Sequence, residues 1–346
     1  MSAEAAPLLV LRDVGRDFEV SPPWFDRALE GAPRRVLKAV DGLSLDIRRG
    51  ETLALVGESG CGKSTVARMI VGLHAPTRGQ IEFEGVELAA PGHAPEIARV
   101  RRRMQMIFQD PYASLNPRWR IARIVSEPLR AQERAAGRDA IRARVAELLL
   151  QVGLTPEDGE KYPHEFSGGQ RQRICIARAL STHPEFLVCD EPTSALDVSV
   201  QAQILNLMKT LQQRLGLTYL FISHNLAVVA YIAERIGVMY LGRLVELADT
   251  ATLFAQPQHP YTRMLLDAVP DLEMSGRPRT PVAGEVPNPL DPPSGCAFHP
   301  RCPHADAGCR AERPELRRSP AGSMVACHAV EEGRLPAGAG RFSLKQ

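Results

Sequence analysis

No run in this chain approaches 18 uninterrupted apolar residues, so no segment reads as a membrane-spanning helix. The opening residues, Met1 to Val10, carry Glu4 and no basic cluster, and are not expected to act as a secretory signal. An excess of one charge is missing too. The 346 residues hold 42 basic and 40 acidic side chains, a formal balance of +2, which gives no reason to expect a nucleic-acid partner. Lysine is scarce, since 37 of the 42 basic residues are arginine; this reads as coding bias and carries no functional hint. No internal repeat recurs and no heptad pattern is sustained. These absences point to a cytoplasmic chain. With 44% hydrophobic and 24% charged residues it can bury a sizeable core, and its length allows two or three domains.

Short apolar runs alternate with helical stretches. Thr52–Val56, Met104–Phe108, Phe186–Cys189, Tyr219–Ile222 and Ile236–Tyr240 read as buried strands. Helices are expected over Ser64–Leu73, within 120–150, over Arg171–Leu180 and over 200–214. This alternation argues for an α/β fold with a mostly parallel core sheet. Residues 21–35 read as a loop insertion. From Pro270 to Pro320 the composition shifts, with 11 of the 28 prolines, so a boundary is expected near 265: residues 1–265 as one domain and 266–346 as a Pro- and Cys-rich extension.

Gly57-Glu58-Ser59-Gly60-Cys61-Gly62-Lys63-Ser64-Thr65 fits the phosphate-loop pattern G-x-x-x-x-G-K-[ST]. Glycines let the backbone turn tightly enough for its N–H groups to face phosphate oxygens, and the helix that follows presents its positive end. Lys63 supplies a cation for the β and γ phosphates, and Ser64 a hydroxyl for Mg²⁺. Cys61 reads as a small filler of the loop. Phe186-Leu187-Val188-Cys189-Asp190-Glu191 is an apolar strand ending in two acids. Asp190 would hold Mg²⁺ through water at the sheet's carboxyl edge, and Glu191 would polarise a water attacking the γ-phosphate.

Ser167-Gly168-Gly169-Gln170 opens the helix Arg171–Leu180, a second small-residue anion site. One nucleotide does not need two such sites, unless the second serves another subunit's nucleotide. This arrangement resembles the ABC-transporter ATPase family, whose signature sequence clasps the γ-phosphate held by a partner subunit. The resemblance implies an ABC-type ATPase domain with a helical subdomain at about 110–180. It makes Gln109 the Q-loop glutamine on Mg²⁺, Ser194 and Asp197 parts of the D-loop, and His224 the switch histidine on the γ-phosphate. Phe18 is the candidate for stacking on adenine, with Trp24 and Phe25 as rivals. Asn225 follows His224 where such importers commonly carry Asp.

Phe108-Gln109-Asp110-Pro111, Tyr162-Pro163-His164-Glu165-Phe166, His259-Pro260-Tyr261-Thr262 and the tail from Pro292-Pro293-Ser294-Gly295-Cys296 narrow the resemblance to the ATPase subunits of oligopeptide and dipeptide importers. It implies ATP hydrolysis coupled to peptide import and a peripheral position on the cytoplasmic face of the inner membrane. The partners implied are a second, homologous ATPase, two transmembrane permease subunits and an extracytoplasmic substrate-binding protein. This chain looks like the second ATPase of the pair. Nickel and glutathione importers share the architecture. A soluble ABC ATPase of DNA repair or the ribosome is the rival class, against which stand the single ATPase domain and the gap of about 100 residues between phosphate loop and signature, without heptads.

Cys296, Cys302, Cys309 and Cys327 give C-x5-C-x6-C-x17-C. Four thiolates so close in a cytosolic chain suggest a metal site, and a disulfide framework is not expected there. The spacing lacks the C-x2-C of zinc ribbons and matches no ferredoxin, so ligand chemistry leaves Zn²⁺ and a 4Fe–4S cluster both open. The resemblance favours the cluster. His299, His304 and His328 are alternative ligands, and four free thiols are the plain alternative.

Overall fold

The computed structural model describes residues 6–21, 35–90, 94–132, 137–268 and 284–335. Trp24 and Phe25, and most of the expected insertion, lie outside the described residues. Two sheets enclose the phosphate-loop helix. The larger has eight strands in the order β11-β12-β10-β9-β3-β8-β7-β6. Its centre is β3 (Thr52–Val56), β6 (Met104–Ile107), β7 (Phe186–Asp190), β8 (Thr218–Ile222) and β9 (Arg235–Tyr240). All of these pair in parallel. β10 (Arg243–Asp249) turns back antiparallel on β9, and the tail strands β12 (Met324–Val325) and β11 (Arg317–Arg318) extend that edge.

Every residue of β3, β7 and β8 is buried, as befits parallel strands covered on both faces. Alternate side chains serve different cores. Leu53, Leu55, Phe186 and Val188 pack towards α1 (Lys63–Ile70) and the second sheet, whereas Ala54, Val56, Leu187 and Cys189 pack towards the helices of the other face. Those helices include α2 (Ile121–Gln132), α3 (Arg138–Gln151) and α4 (Gly168–Leu180), followed in the chain by α5 (Val198–Leu215) and α6 (Leu226–Ile232).

The second sheet is antiparallel, in the order β2-β1-β4-β5, and its long strands carry no counterpart in the expected element map. β1 (Pro7–Glu19), β2 (Val36–Arg48), β4 (Arg78–Phe83) and β5 (Val86–Glu87) form it. Register shifts at Leu11/Val14 and Val14/Arg16, with Asp13 at φ 47°, interrupt the two-residue alternation that would have marked β1. Helix α4 begins at Gly168, three residues before the expected Arg171. Its start is fixed by Ser167, whose Oγ accepts from Gln170 N–H while Gln170 Oε1 accepts from Ser167 N–H, a capping box that apolar periodicity does not reveal.

Candidate functional site

The loop from Gly57 to Lys63 leaves the carboxyl end of β3 and enters α1. Gly62 has φ 104°, and a Cβ there would lie 2.3 Å from the Ala39 carbonyl oxygen, so both conformation and space require glycine. A Cβ on Gly57 would meet the Met239 carbonyl oxygen at 2.3 Å. Lys63 is buried and its Nζ donates to the carbonyls of Gly57 (2.8 Å) and Glu58 (2.9 Å). Cys61 packs beneath, its Sγ 3.6 Å from that ammonium. Burial pushes the Cys61 thiol up, against the pull of Lys63, so it stays a neutral filler.

Ser64 Oγ donates to Asp190 Oδ1 at 2.9 Å, joining the start of α1 to the end of β7. Burial pushes the Asp190 carboxyl up, while the Ser64 hydroxyl, Arg68 and Lys63 pull it down. Two hard oxygens side by side at a phosphate loop are a donor set suited to Mg²⁺. Glu191 follows in the left-handed region, at φ 47°, a conformation costly for a residue with a Cβ. Its N–H donates to the Ile222 carbonyl at 3.0 Å. Its Oε2 accepts from Gln109 Nε2 at 3.2 Å and lies 3.2 Å from His224 Nδ1. Gln109 follows β6, Glu191 follows β7 and His224 follows β8. Because these three strands are parallel neighbours, their carboxyl ends deliver the three side chains to one edge.

A cleft of about 420 Å³ opens there, lined by Phe18, Ser59, Gly60, Gly62, Lys63, Ser64, Thr65, Gln109 and Glu191. Phe18 reaches it from the end of β1, with the Arg16 guanidinium 4.7 Å from its ring centre and His74 edge-on at 5.5 Å. Gly57, Cys61 and Asp190 back the loop and are not part of the lining. None of Ser167, Gly168, Gly169 and Gln170 lines this cleft either. Ser194 Oγ donates to the Glu191 carbonyl (3.0 Å), and Asp197 caps α5 by accepting from Val200 N–H (2.9 Å) and the Ser199 hydroxyl (2.8 Å). The Val200 amide, then Ser199, hold the Asp197 carboxyl below its usual range.

Backbone hydrogen bonds join three of the four tail cysteines in one knuckle. Cys296 N–H donates to the Cys309 carbonyl (2.8 Å), His299 N–H to Cys296 (3.0 Å) and Cys302 N–H to His299 (3.3 Å). Burial pushes the Cys327 thiol up to about 11, against the pull of the Val330 and Ala329 amides. Burial likewise raises Cys296 and Cys302. Among the described residues, no group of three or more His, Cys, Asp or Glu side chains is spaced to hold a metal ion. Thiols are a donor type that thiophilic metals accept.

Several residues of the site carried no assigned role in the sequence, Tyr261, Arg301 and Pro289 among them. Tyr261 accepts through its hydroxyl from Glu58 N–H (2.9 Å). Arg301 grips the Glu58 carboxylate. Pro289 lines the cleft. Tyr261 and Arg301 left a signal only in that both sit in stretches that narrowed the resemblance.

Comparison with known proteins fits this geometry. The ABC transporter family matches residues 40–194, and the C-terminal region of oligopeptide/dipeptide transporters matches residues 245–309, which takes in Cys296, Cys302 and Cys309. The oligopeptide transport ATP-binding protein AppF of Bacillus subtilis is 47% identical over 330 residues, 94% of this chain and 98% of that one. The di/tripeptide transport ATP-binding protein DppF of Pseudomonas aeruginosa is 48% identical over 326 residues, again 94% and 98%. Among solved structures, a dimeric post-hydrolysis state of the ATP-binding cassette MJ0796 bound to ADP and Pi has a TM-score of 0.60 at 27% identity, covering 70% of this chain and 98% of that one. The fold is that of an ABC-type ATPase. The chain belongs to the ABC transporter family, in the branch of ATP-binding subunits that carry the oligopeptide/dipeptide-transporter C-terminal region.

Proposed function

We propose that this chain is the ATP-hydrolysing subunit of an importer for di- and oligopeptides. It would act at the cytoplasmic face of the inner membrane, beside a second homologous ATPase, two permease subunits and an extracytoplasmic binding protein. Among the described residues no helix is long and apolar enough to cross a membrane. The observation that carries the reading is the meeting of Gln109 and His224 on the Glu191 carboxylate, beside the Ser64–Asp190 pair.

Lys63 and the loop amides hold the β and γ phosphates. Ser64, Asp190 and Gln109 are the residues that would hold Mg²⁺, which supplies charge neutralisation on the phosphate oxygens. Glu191 orients the attacking water and takes up its proton, and His224 steadies Glu191 and the departing phosphate. Ser167 to Gln170 complete the partner's site, and Ser194 and Asp197 lie on the path between the two. Residues 266–346 form an extension in which Cys296, Cys302, Cys309 and Cys327 would hold a 4Fe–4S cluster, with Zn²⁺ as the alternative. Such a group supplies a staple for a loop-rich segment. Anaerobically purified protein is then expected to carry about four iron atoms per chain, or about one zinc; neither metal, with an ordered tail, would end that part of the reading.

Glu191→Gln tests the assignment. It keeps the shape and a hydrogen-bonding end but removes the base. Turnover of the assembled transporter should fall by roughly 10²-fold or more while ATP binding persists. Turnover near that of the unmodified complex would remove Glu191 from the mechanism.

A further inference from the structure

Resting on the ATPase reading, we propose that Arg301 is a positioning residue for the phosphate loop and ties nucleotide affinity to the cysteine knuckle. Arg301 ends the turn His299–Arg301, between Cys296 and Cys302. Its side chain is 2% exposed and faces Glu58, with Nη1 2.7 Å from Oε2 and Nη2 3.1 Å from Oε1. A two-pronged pair of this kind fixes direction as well as distance. Glu58 is the second residue of the phosphate loop, and its backbone is held too. Its N–H donates to the Tyr261 hydroxyl (2.9 Å) and its carbonyl accepts from Lys63 Nζ (2.9 Å). One residue therefore separates the tail's guanidinium from the phosphate-binding ammonium.

The knuckle decides where Arg301 stands. Phe298, in the same turn, is buried against Tyr240 (5.3 Å between ring centres) and Tyr261 (5.4 Å). Backbone bonds tie Cys296 to Cys309 and, through His299, to Cys302. A change that re-spaces Cys296 and Cys302 shifts the backbone that carries Arg301. The guanidinium keeps its charge throughout, so position is what is transmitted. A staple with no further role could rest on any part of the core. This one rests on the loop residue whose carbonyl holds Lys63.

The test measures Mg²⁺–ATP affinity of the full chain with a ribose-labelled fluorescent ATP analogue, with protease resistance of the tail as a check on folding. Arg301→Gln and Glu58→Gln should each weaken binding roughly tenfold, the scale of a lost charge-assisted hydrogen bond. The double variant should be no weaker than either single one, because both remove the same contact. Arg301→Lys, which keeps the charge but not the fork, should fall between. Cys302→Ser should weaken ATP binding alone and add nothing to Arg301→Gln. If Arg301→Gln loosens the tail, Glu58→Gln carries the test from the core side. Affinities within about twofold of the unmodified chain, or single effects that multiply in the double variant, overturn the proposal. An unmodified chain that binds no ATP overturns the ATPase reading as well, so the two failures are told apart.

Discussion

Gly168 and Gly169 are adjacent and read alike in the signature, yet the structure asks different things of them. A Cβ on Gly168 would lie 3.5 Å from Leu196 Cδ2, an ordinary contact, whereas one on Gly169 would lie 2.5 Å from Val200 Cγ1 at the start of α5. Alanine favours a helix by about 1 kcal/mol over glycine, so Gly168→Ala should leave stability unchanged or slightly raised. Gly169→Ala must push α4 from α5 and should cost about 1–3 kcal/mol. Denaturant midpoints of the two variants decide this; equal midpoints would mean that Val200 yields freely. The same contrast marks what was legible. Lys63 and Ser64 announce themselves where a glycine-rich loop enters a helix, and Asp190 and Glu191 where an apolar strand ends, junctions that the chain itself spells out. The meaning of Gly169 depends on Val200, and that of Arg301 on a glutamate 243 positions away, and no local spacing encodes either partner. Glu191's left-handed backbone was likewise invisible, since an acid after a strand says nothing about φ.

Elements were legible where burial is uniform. β3 runs over Thr52–Val56 as its apolar run implies, and β7 and β8 differ from their expected bounds by one residue each. Strands covered on both faces need no alternation to be seen, only length and flanking turns. β1 and β2 are covered on one face, and bulges break their alternation, so their pattern resembles none. Helix starts depended on side chains that apolar periodicity ignores. Asn225 caps α6 by accepting from the amides of Ala227 (3.0 Å) and Val228 (3.4 Å). Asparagine and aspartate cap about equally well, which is why Asn225 serves where the resemblance led us to expect Asp. The departure therefore leaves the turn that presents His224 intact: His224 still reaches Glu191, because the cap and not the charge shapes the loop.

Across the whole molecule, residues 284–335 meet the nucleotide-binding core at separate points. Val325 pairs with Glu246 on β10, Arg301 with Glu58, and Phe298 enters the ring cluster of Tyr240, Tyr261 and His259. His259 makes this seam sensitive to acid. It is fully enclosed, its Nδ1 accepts from Tyr261 N–H at 3.0 Å, and burial drives its pKa from an ordinary 6.5 down to about 3. The folded ring stays neutral where the unfolded one takes a proton. Its contribution is therefore complete above pH 6.5 and is lost as the pH falls towards 3, at about 1.4 kcal/mol per pH unit. Glu246, which accepts from His259 N–H at 2.8 Å, works the other way. Burial raises its carboxyl, so the folded state retains a proton that the unfolded state has shed just above pH 4.5. His259→Asn separates the two, since it keeps an acceptor at the helix start, does not titrate and leaves Glu246 in place. Melting temperatures between pH 6.5 and pH 5 should fall more steeply for the unmodified chain than for the variant. Parallel slopes would mean that His259 protonates alike in both states, and hence that Phe298 does not seal the imidazole from water.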